Sequence, residues 1–173
     1  PLVDLRPYAS ADAAGEVEWW LASDLGEAVT GTALRRDHVL GVGGASTTLA
    51  QATIRTPVGR ALDLGTGCGV QALHASRHSR AVVASDISAR ALDFARFNAA
   101  LAGVDLDLRA GSMLEPVAGE RFDLVVSNPP FVITPRGADG DPVYEYRDGG
   151  RSGDELVRDL VTGVGAVLAP GGV

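Results

Sequence analysis

The stretch Leu62-Asp63-Leu64-Gly65-Thr66-Gly67-Cys68-Gly69 decides how this chain folds. Residues 61–64 form a short apolar run, 65–69 carry three glycines, and 70–78 have the spacing of a helix. Strand, glycine turn and helix in that order open a βαβ unit. The pattern then repeats. Residues 81–85 read as a second strand. Ser88 caps a helix running to about residue 101, with Ala91, Leu92, Ala95 and Leu101 facing inward and Gly103 as its stop. A third strand follows over 104–109 and a fourth over 122–127. Residues 133–150, rich in Gly, Pro and Asp, read as a long loop. Ser152 and Glu155 have capping-box spacing, and Leu156, Leu160, Val164, Val167 and Leu168 continue a helix. Upstream, a helix is predicted at 46–55. Strands alternating with helices predict an α/β fold with a doubly wound, mostly parallel sheet.

The first forty residues read differently. Val17, Trp20, Leu21, Leu25, Ala28 and Val29 fall near helical spacing across 10–29. They predict an N-terminal helical segment over 1–40, ahead of a core domain at 41–173. Trp19 and Trp20 are assigned to packing. The chain closes on Leu168-Ala169-Pro170-Gly171-Gly172-Val173, a helix stop followed by the first residue of a further strand. The sheet is therefore expected to be truncated after its fourth strand and the helix that follows.

The 173 residues suit one domain with its own core. The net charge is −7, and all 15 basic residues are arginine. Acids outnumber arginines seven to three over 1–40 and seven to four over 132–173, and balance them at eight each over 41–131. No segment carries the basic footprint of a domain that grips phosphates. A nucleic-acid partner would rely on a local arginine patch or on another domain. No apolar run nears the roughly 20 residues of a membrane helix, and no signal-peptide pattern opens the chain. A single cysteine excludes an internal disulfide, so a cytoplasmic protein is expected. His38, His74 and His78 lack metal-site spacing, so no metal is expected, and His74 and His78 are placed on the solvent face of one helix. Cys68 fills a small-residue slot in the turn rather than acting as a nucleophile.

Glycines in the turn permit positive φ and let backbone approach a ligand, while the helix start adds N–H donors. Asp86 ends the second strand about twenty residues on, where a ribose-binding acid is expected. A nicotinamide dinucleotide needs the same turn and acid, so these two features do not choose between cofactors. Asp63, just before the turn, can orient the loop and hold an ammonium group directly or through water, and it would repel a pyrophosphate. The fourth strand runs into Asn128-Pro129-Pro130-Phe131. Two prolines stop it at its carboxyl end, where open parallel sheets keep their ligands. The Asn128 side chain and the Pro129 carbonyl can accept hydrogen bonds from a flat NH2 group, and Phe131 can stack on it.

With residues 63–69, Asp86 and Asn128-Pro129-Pro130-Phe131 in this order, the chain resembles the class I S-adenosylmethionine-dependent methyltransferases. It is most similar to the branch that methylates planar amino groups: release-factor glutamine, adenine-N6 and ribosomal-RNA guanine-N2 enzymes. The resemblance covers about residues 40–173. It implies a Rossmann-like core and S-adenosyl-L-methionine as cofactor. By that resemblance Gly65, Thr66, Gly67 and Gly69 line the methionine part and Asp63 serves its amino group. Asp86 holds the ribose and Ile87 lies against adenine. Ser112 stands where members often carry an acid for the adenine amino group; its hydroxyl or backbone would have to substitute, with Met113 packing on the ring. Thr47 and Thr48 would touch the cofactor from the preceding helix.

The resemblance assigns catalysis to Asn128, Pro129, Pro130 and Phe131. The expected acceptor is a protein glutamine, because the acidic surface disfavours nucleic acid and 144–153 is similar to that subfamily. A base in RNA or DNA is the alternative, since phenylalanine at 131 is common among the guanine enzymes. A nicotinamide-dependent oxidoreductase and a non-catalytic cofactor-binding module are the other readings.

Overall fold

An antiparallel hairpin opens the chain, made of β1 (Asp4–Asp12) and β2 (Gly15–Ser23), in register from Asp4 against Ser23 to Asp12 against Gly15. The computed structural model describes residues 2–12, 15–129 and 155–173. Across the described part of 10–29 the predicted helix is instead mostly strand, and among the described residues there the helical part is the single turn α1 (Glu27–Thr30). The reason lies in a second period that the helical reading passed over. Val17, Trp19 and Leu21 point inward, and Glu16, Glu18 and Trp20 point outward. That is strand alternation, and the docking partner selects it.

The core follows the predicted order. α2 (Gly44–Ala52) leads into β3 (Val58–Leu64), α3 (Val70–Ser76), β4 (Ser79–Asp86), α4 (Ala89–Ala102), β5 (Asp107–Ala110) and β6 (Leu124–Ser127). The strands lie in the order β5-β4-β3-β6, and every pair is parallel. β3 is central, and Ala61, Leu62, Asp63 and Leu64 are all buried, as expected of a strand covered on both faces. Ala61, Ala72, Ala84 and Leu124 pack on one side. Leu62, Val83, Val117 and Phe122 pack on the other.

Three details differ from expectation. Phe122 lies outside β6, although it is fully buried and forms a single parallel bridge to Leu168. Leu101 faces solvent, because the buried stripe of α4 runs through Ala91, Phe94, Ala95 and Asn98 and passes 101 by. The last helix, α5 (Glu155–Gly163), stops early and gives way to a 3-10 turn at Val164–Ala166. Beyond it the chain returns to the sheet: the Val173 N–H donates to the Asp123 carbonyl and the Val125 N–H to the Val173 carbonyl, at 3.0 and 2.8 Å. The capping-box residue Ser152 lies outside the described residues.

The hairpin docks on α3 and α4. Leu21 and Ala22 join Leu73, Phe94 and Ala99 in one buried cluster. Trp19 stacks on Tyr8 and meets the edge of His74, with ring centroids 5.9 and 5.1 Å apart. His74 is 1% exposed, contrary to its predicted solvent position. Its Nε2 shares a 2.7 Å hydrogen bond with the Tyr8 hydroxyl, and burial, aided by Arg55 and Arg77, pushes its pKa down to about 4. A neutral ring can be buried there because the hairpin covers it. Asp12 completes the contact by accepting from Arg77 Nη1 at 2.7 Å.

The two adjacent tryptophans are thus inequivalent: Trp19 packs into this contact, and Trp20 is 55% exposed. Trp19→Ala is expected to cost about 2–3 kcal/mol in denaturant unfolding, against about 1 kcal/mol or less for Trp20→Ala. Equal losses would refute the inward assignment of Trp19.

Candidate active site

The parallel register sets four strand ends at one level. Leu64 lies opposite both Ser85 and Ser127, and Asp86 lies opposite Ala110. The next residues, Gly65, Asp86 with Ile87, Gly111 and Asn128, therefore leave neighbouring strands side by side. The Ser127 hydroxyl donates to the Leu64 carbonyl at 2.8 Å, and the Gly65 and Thr66 N–H groups donate to the Ser85 carbonyl at 2.9 and 3.0 Å. Chain order reverses direction across β3 and β6, and ligands of open α/β sheets sit at such switch points. A cavity of about 500 Å3 opens there. Gly65, Thr66, Gly67, Asp86, Asn128 and Pro129 line it, joined by Ile87, Ser112 and Met113.

Two carboxylates shape the glycine turn. Asp63 is 1% exposed and lies behind the turn, where it accepts from the Thr66 hydroxyl at 2.6 Å and the Ala72 N–H at 2.9 Å. Burial pushes its pKa up to about 7, against those two hydrogen bonds and with help from Asp86. Asp86 accepts from the Gly67 N–H and the Ser88 N–H, both at 2.9 Å, and burial raises its pKa too. Gly65 and Gly67 have φ of 71° and 55°, and a Cβ on either would meet nothing within 4 Å. Their open sides face the cavity. Ala and larger residues would close that space and strain the backbone.

Gly69 has a different duty from the one expected of it. It is absent from the cavity lining and caps α3 at φ 89°, where a Cβ would stand 3.1 Å from the Ala95 Cα. It is the packing glycine that lets the turn lie against α4. Thr47 and Thr48 also stand off; the Thr47 hydroxyl donates to Gly43 within the first turn of α2. Cys68 is buried with its thiol pKa pushed up to about 11, which removes it as a nucleophile.

The wall opposite the turn was missing from the sequence reading. Asp37, His38, Leu40 and Gly43 line it, and Ser46 follows at the start of α2, where its carbonyl accepts from Gln71 Nε2 at 2.7 Å. Glycines at 41, 43 and 44 were the available signal for backbone close to a ligand. Leu156 and Leu160 of α5 add apolar lining. Pro130, Phe131 and residues 144–153 lie outside the described residues.

The donor set tests which ligand belongs here. Asp37 and Asp86 face the cavity, and among its described lining residues there is no arginine. Such a lining repels a pyrophosphate and suits hydroxyls and cationic groups. Among the described residues no three His, Cys, Asp or Glu side chains gather as metal ligands, and no helix is long and apolar enough to cross a membrane.

Comparison with known proteins places this geometry in a class. The family described as Methyltransferase small domain matches residues 41–138, and the chain belongs to that family. The release factor glutamine methyltransferase of Deinococcus radiodurans is 41% identical over 120 residues, covering 65% of this chain and 43% of the relative. The ribosomal protein uL3 glutamine methyltransferase of Bradyrhizobium diazoefficiens is 35% identical over 127 residues, covering 68% and 40%. The chain thus spans less than half the length of these curated relatives. Among solved structures, the Thermus thermophilus 16S rRNA N2 G1207 methyltransferase, in complex with AdoMet and guanosine, has the same fold at a TM-score of 0.66. Its identity is 19%, and the match covers 99% of this chain and 41% of that one. A ribosomal protein L11 methylase from Lactobacillus delbrueckii matches at a TM-score of 0.52 and 26% identity, covering 74% and 54%.

The packing role of Gly69 has a direct consequence. Gly69→Ala combines a left-handed φ with contact against backbone, and should cost about 2–4 kcal/mol in chemical denaturation. A loss below about 0.5 kcal/mol would contradict the packing role.

Proposed function

We propose that this chain is the catalytic core of an S-adenosylmethionine-dependent N-methyltransferase acting on a planar amide or amino group, with a protein glutamine as the favoured acceptor. One observation carries the reading: Asn128 and the glycine turn leave adjacent strands at one register level and line one cavity. The likeness to glutamine methyltransferases supports the acceptor, as does the acidic balance of the chain. A cytoplasmic location goes with that reading. The acid-lined cavity argues against a nicotinamide dinucleotide, and Asn128 at the cavity rim argues against a purely binding role.

Bound S-adenosyl-L-methionine supplies a sulfonium-activated methyl group. Gly65, Thr66 and Gly67 would present backbone to its methionine part. Asp86 would offer its remaining acceptor capacity to ribose hydroxyls. Ile87 and Met113 offer apolar contact to the adenine ring, and Ser112 offers a hydroxyl to its edge. An amide or aniline-like nitrogen is a weak nucleophile, because its lone pair is delocalised. Asn128 Oδ1 and the Pro129 carbonyl would accept its two N–H bonds and turn the lone pair toward the cavity. As nitrogen becomes positive both acceptors gain, so the contribution is orientation plus charge complementarity. The proton can leave after transfer, and no strong base is required first. Phe131 is assigned the stacking role from the sequence alone.

Asn128→Ala should lower turnover about a hundredfold or more while affinity for S-adenosylhomocysteine stays within about twofold. The assay uses labelled cofactor with release factor in one arm and stripped ribosomes in the other. Label on release-factor glutamine supports the favoured acceptor, and label on RNA alone transfers the proposal to a base. Equal losses of affinity and turnover would contradict the division of labour.

Asp63 gives the cofactor site a pH signature. Its folded pKa, about 7, lies above the ordinary 3.8. Its contribution to stability is therefore complete below about pH 4 and is lost as the pH rises through 7. A cation on the neighbouring turn favours the ionised form. Affinity for S-adenosylmethionine should then tighten from pH 5.5 to 7 by up to about tenfold per unit and level off above. Asp63→Asn should flatten that slope in calorimetric titrations; an unchanged slope would assign it to another group.

A further inference from the structure

Asn98 is 0% exposed in the middle of α4, an unusual place for an amide with low helix propensity. Its Oδ1 accepts from the Ala22 N–H at 2.7 Å, and its Nδ2 donates to the Ala22 carbonyl at 2.9 Å. The same Nδ2 donates to the Cys68 carbonyl at 2.8 Å. One side chain therefore clamps the end of β2 to the glycine turn. Every donor it owns is used, so the amide is tolerated in the core only in this arrangement.

A second tie lies two residues further on, just past the end of β2. The Asp24 N–H donates to the Val39 carbonyl, and Asp24 Oδ2 accepts from the Val39 N–H, both at 3.0 Å. The Asp24 carboxylate also accepts from Arg90, at 2.8 Å from Nε and through a further bond from Nη2. Burial would raise the Asp24 pKa, but Arg90 and the Val39 amide outweigh it and hold it low. Gly41 packs so closely on this strand end that a Cβ would stand 2.9 Å from Ser23 Oγ. His38, beside Val39, lines the cavity with Nδ1 at 3.9 Å from Asp24. Arg90 and Asn98 stand eight residues apart, about two turns along one face of α4. That face therefore holds both the floor and the wall of the cavity against Ala22–Asp24.

We propose that Asn98 and Asp24 are positioning residues through which the amino-terminal hairpin sets the shape of the cofactor cavity, Asn98 fixing the glycine turn and Asp24 the 38–41 wall. The proposal rests on the cofactor reading above for its ligand and on geometry alone for its mechanics. It makes part of 1–40, outside the matched region, a component of the site.

The test uses the full chain with Asn98→Asp, Asp24→Asn and, as a control for plain destabilisation, Val83→Ala in the sheet interior. Asn98→Asp keeps the size and one acceptor but loses every donated bond. Amide hydrogen exchange at 65–69 should quicken at least about tenfold and S-adenosylhomocysteine affinity should fall about tenfold. Asp24→Asn should quicken exchange at 38–41 and leave 65–69 nearer wild type. Val83→Ala should lower the melting temperature without either local effect. Wild-type exchange at 65–69 in Asn98→Asp, or the same local changes in Val83→Ala at matched melting temperature, would overturn the proposal. Should wild type bind no S-adenosylhomocysteine, the cofactor reading fails while the exchange data still judge the clamp. Should Asn98→Asp not fold, Asp24→Asn and Arg90→Gln decide, and unchanged exchange at 38–41 in both would overturn it.

Discussion

Two carboxylates whose hydrogen-bond partners are backbone amides and one hydroxyl hold the glycine turn, and the rest of the site is placed relative to it. Asp63 ties the turn to α3 from behind, through Thr66 and Ala72, and Asp86 ties it to the end of β4 from the front, through Gly67 and Ser88. Neither acid has an arginine among these partners, and burial raises both pKa values. The arrangement costs stability, because a carboxylate held by dipoles alone is less well compensated than one paired with a cation. An arginine would relieve that cost and would also fill the space in which a ligand sits. The local deficit is therefore of the kind found where a fold keeps a site ready for charge that arrives from outside.

The sheet supplies the rigidity that makes such a deficit tolerable. β3 is buried on both faces, with Leu62, Val83 and Phe122 among the most enclosed side chains. Elsewhere in the sheet, charges are well paired. Arg60 and Arg109 both bind Glu120, and Asp123 Oδ2 accepts from the Gly59 and Arg60 amides at 2.9 and 2.8 Å. Asp63 and Asp86 differ from these in having only backbone amides and one hydroxyl as partners, whereas Asp37, on the cavity wall, is paired with Arg35.

How much was legible in the sequence follows from which signals are local. The apolar runs at 61–64, 81–85 and 122–127 have one reading, because strands buried on both faces lose their alternation and become continuous. The glycine turn, Asp86 and Asn128 were found because each is the first residue past such a run. The hairpin was missed because Val17, Trp20, Leu21 and Leu25 satisfy a helical period as well as Val17, Trp19 and Leu21 satisfy a strand period. The pairing of Trp19 with Tyr8 and its docking on His74 decide between them, and the second of these contacts spans more than fifty residues. The same non-local packing buries His74 and makes Gly69 a packing residue, because Ala95 is what it meets. The wall at 37–44 has no periodic signal at all; its ties are the non-local bonds of Asp24 to Val39 and Arg90.

The division between shared and individual parts of the site bears on the acceptor. The glycine turn, Asp86, Ser112 and Asn128 all fall within the matched 41–138 region, so family membership speaks to the floor of the cavity. Asp37, His38 and Leu40 lie outside it and form part of the wall of the same cavity. Burial lowers the His38 pKa against the opposing pull of Asp24, and Asp37 is already engaged by Arg35 at 2.9 Å. Among the described residues the wall thus presents apolar surface, an imidazole with a lowered pKa and an acid already paired with arginine, and no arginine lines it. On the proposed reading a phosphodiester would meet no arginine among these described residues, whereas a carboxamide would find acceptors at Asn128 and Pro129. The preference for a carboxamide then comes from the acceptors on the floor, with the described part of the wall adding no charge that would draw a nucleotide instead.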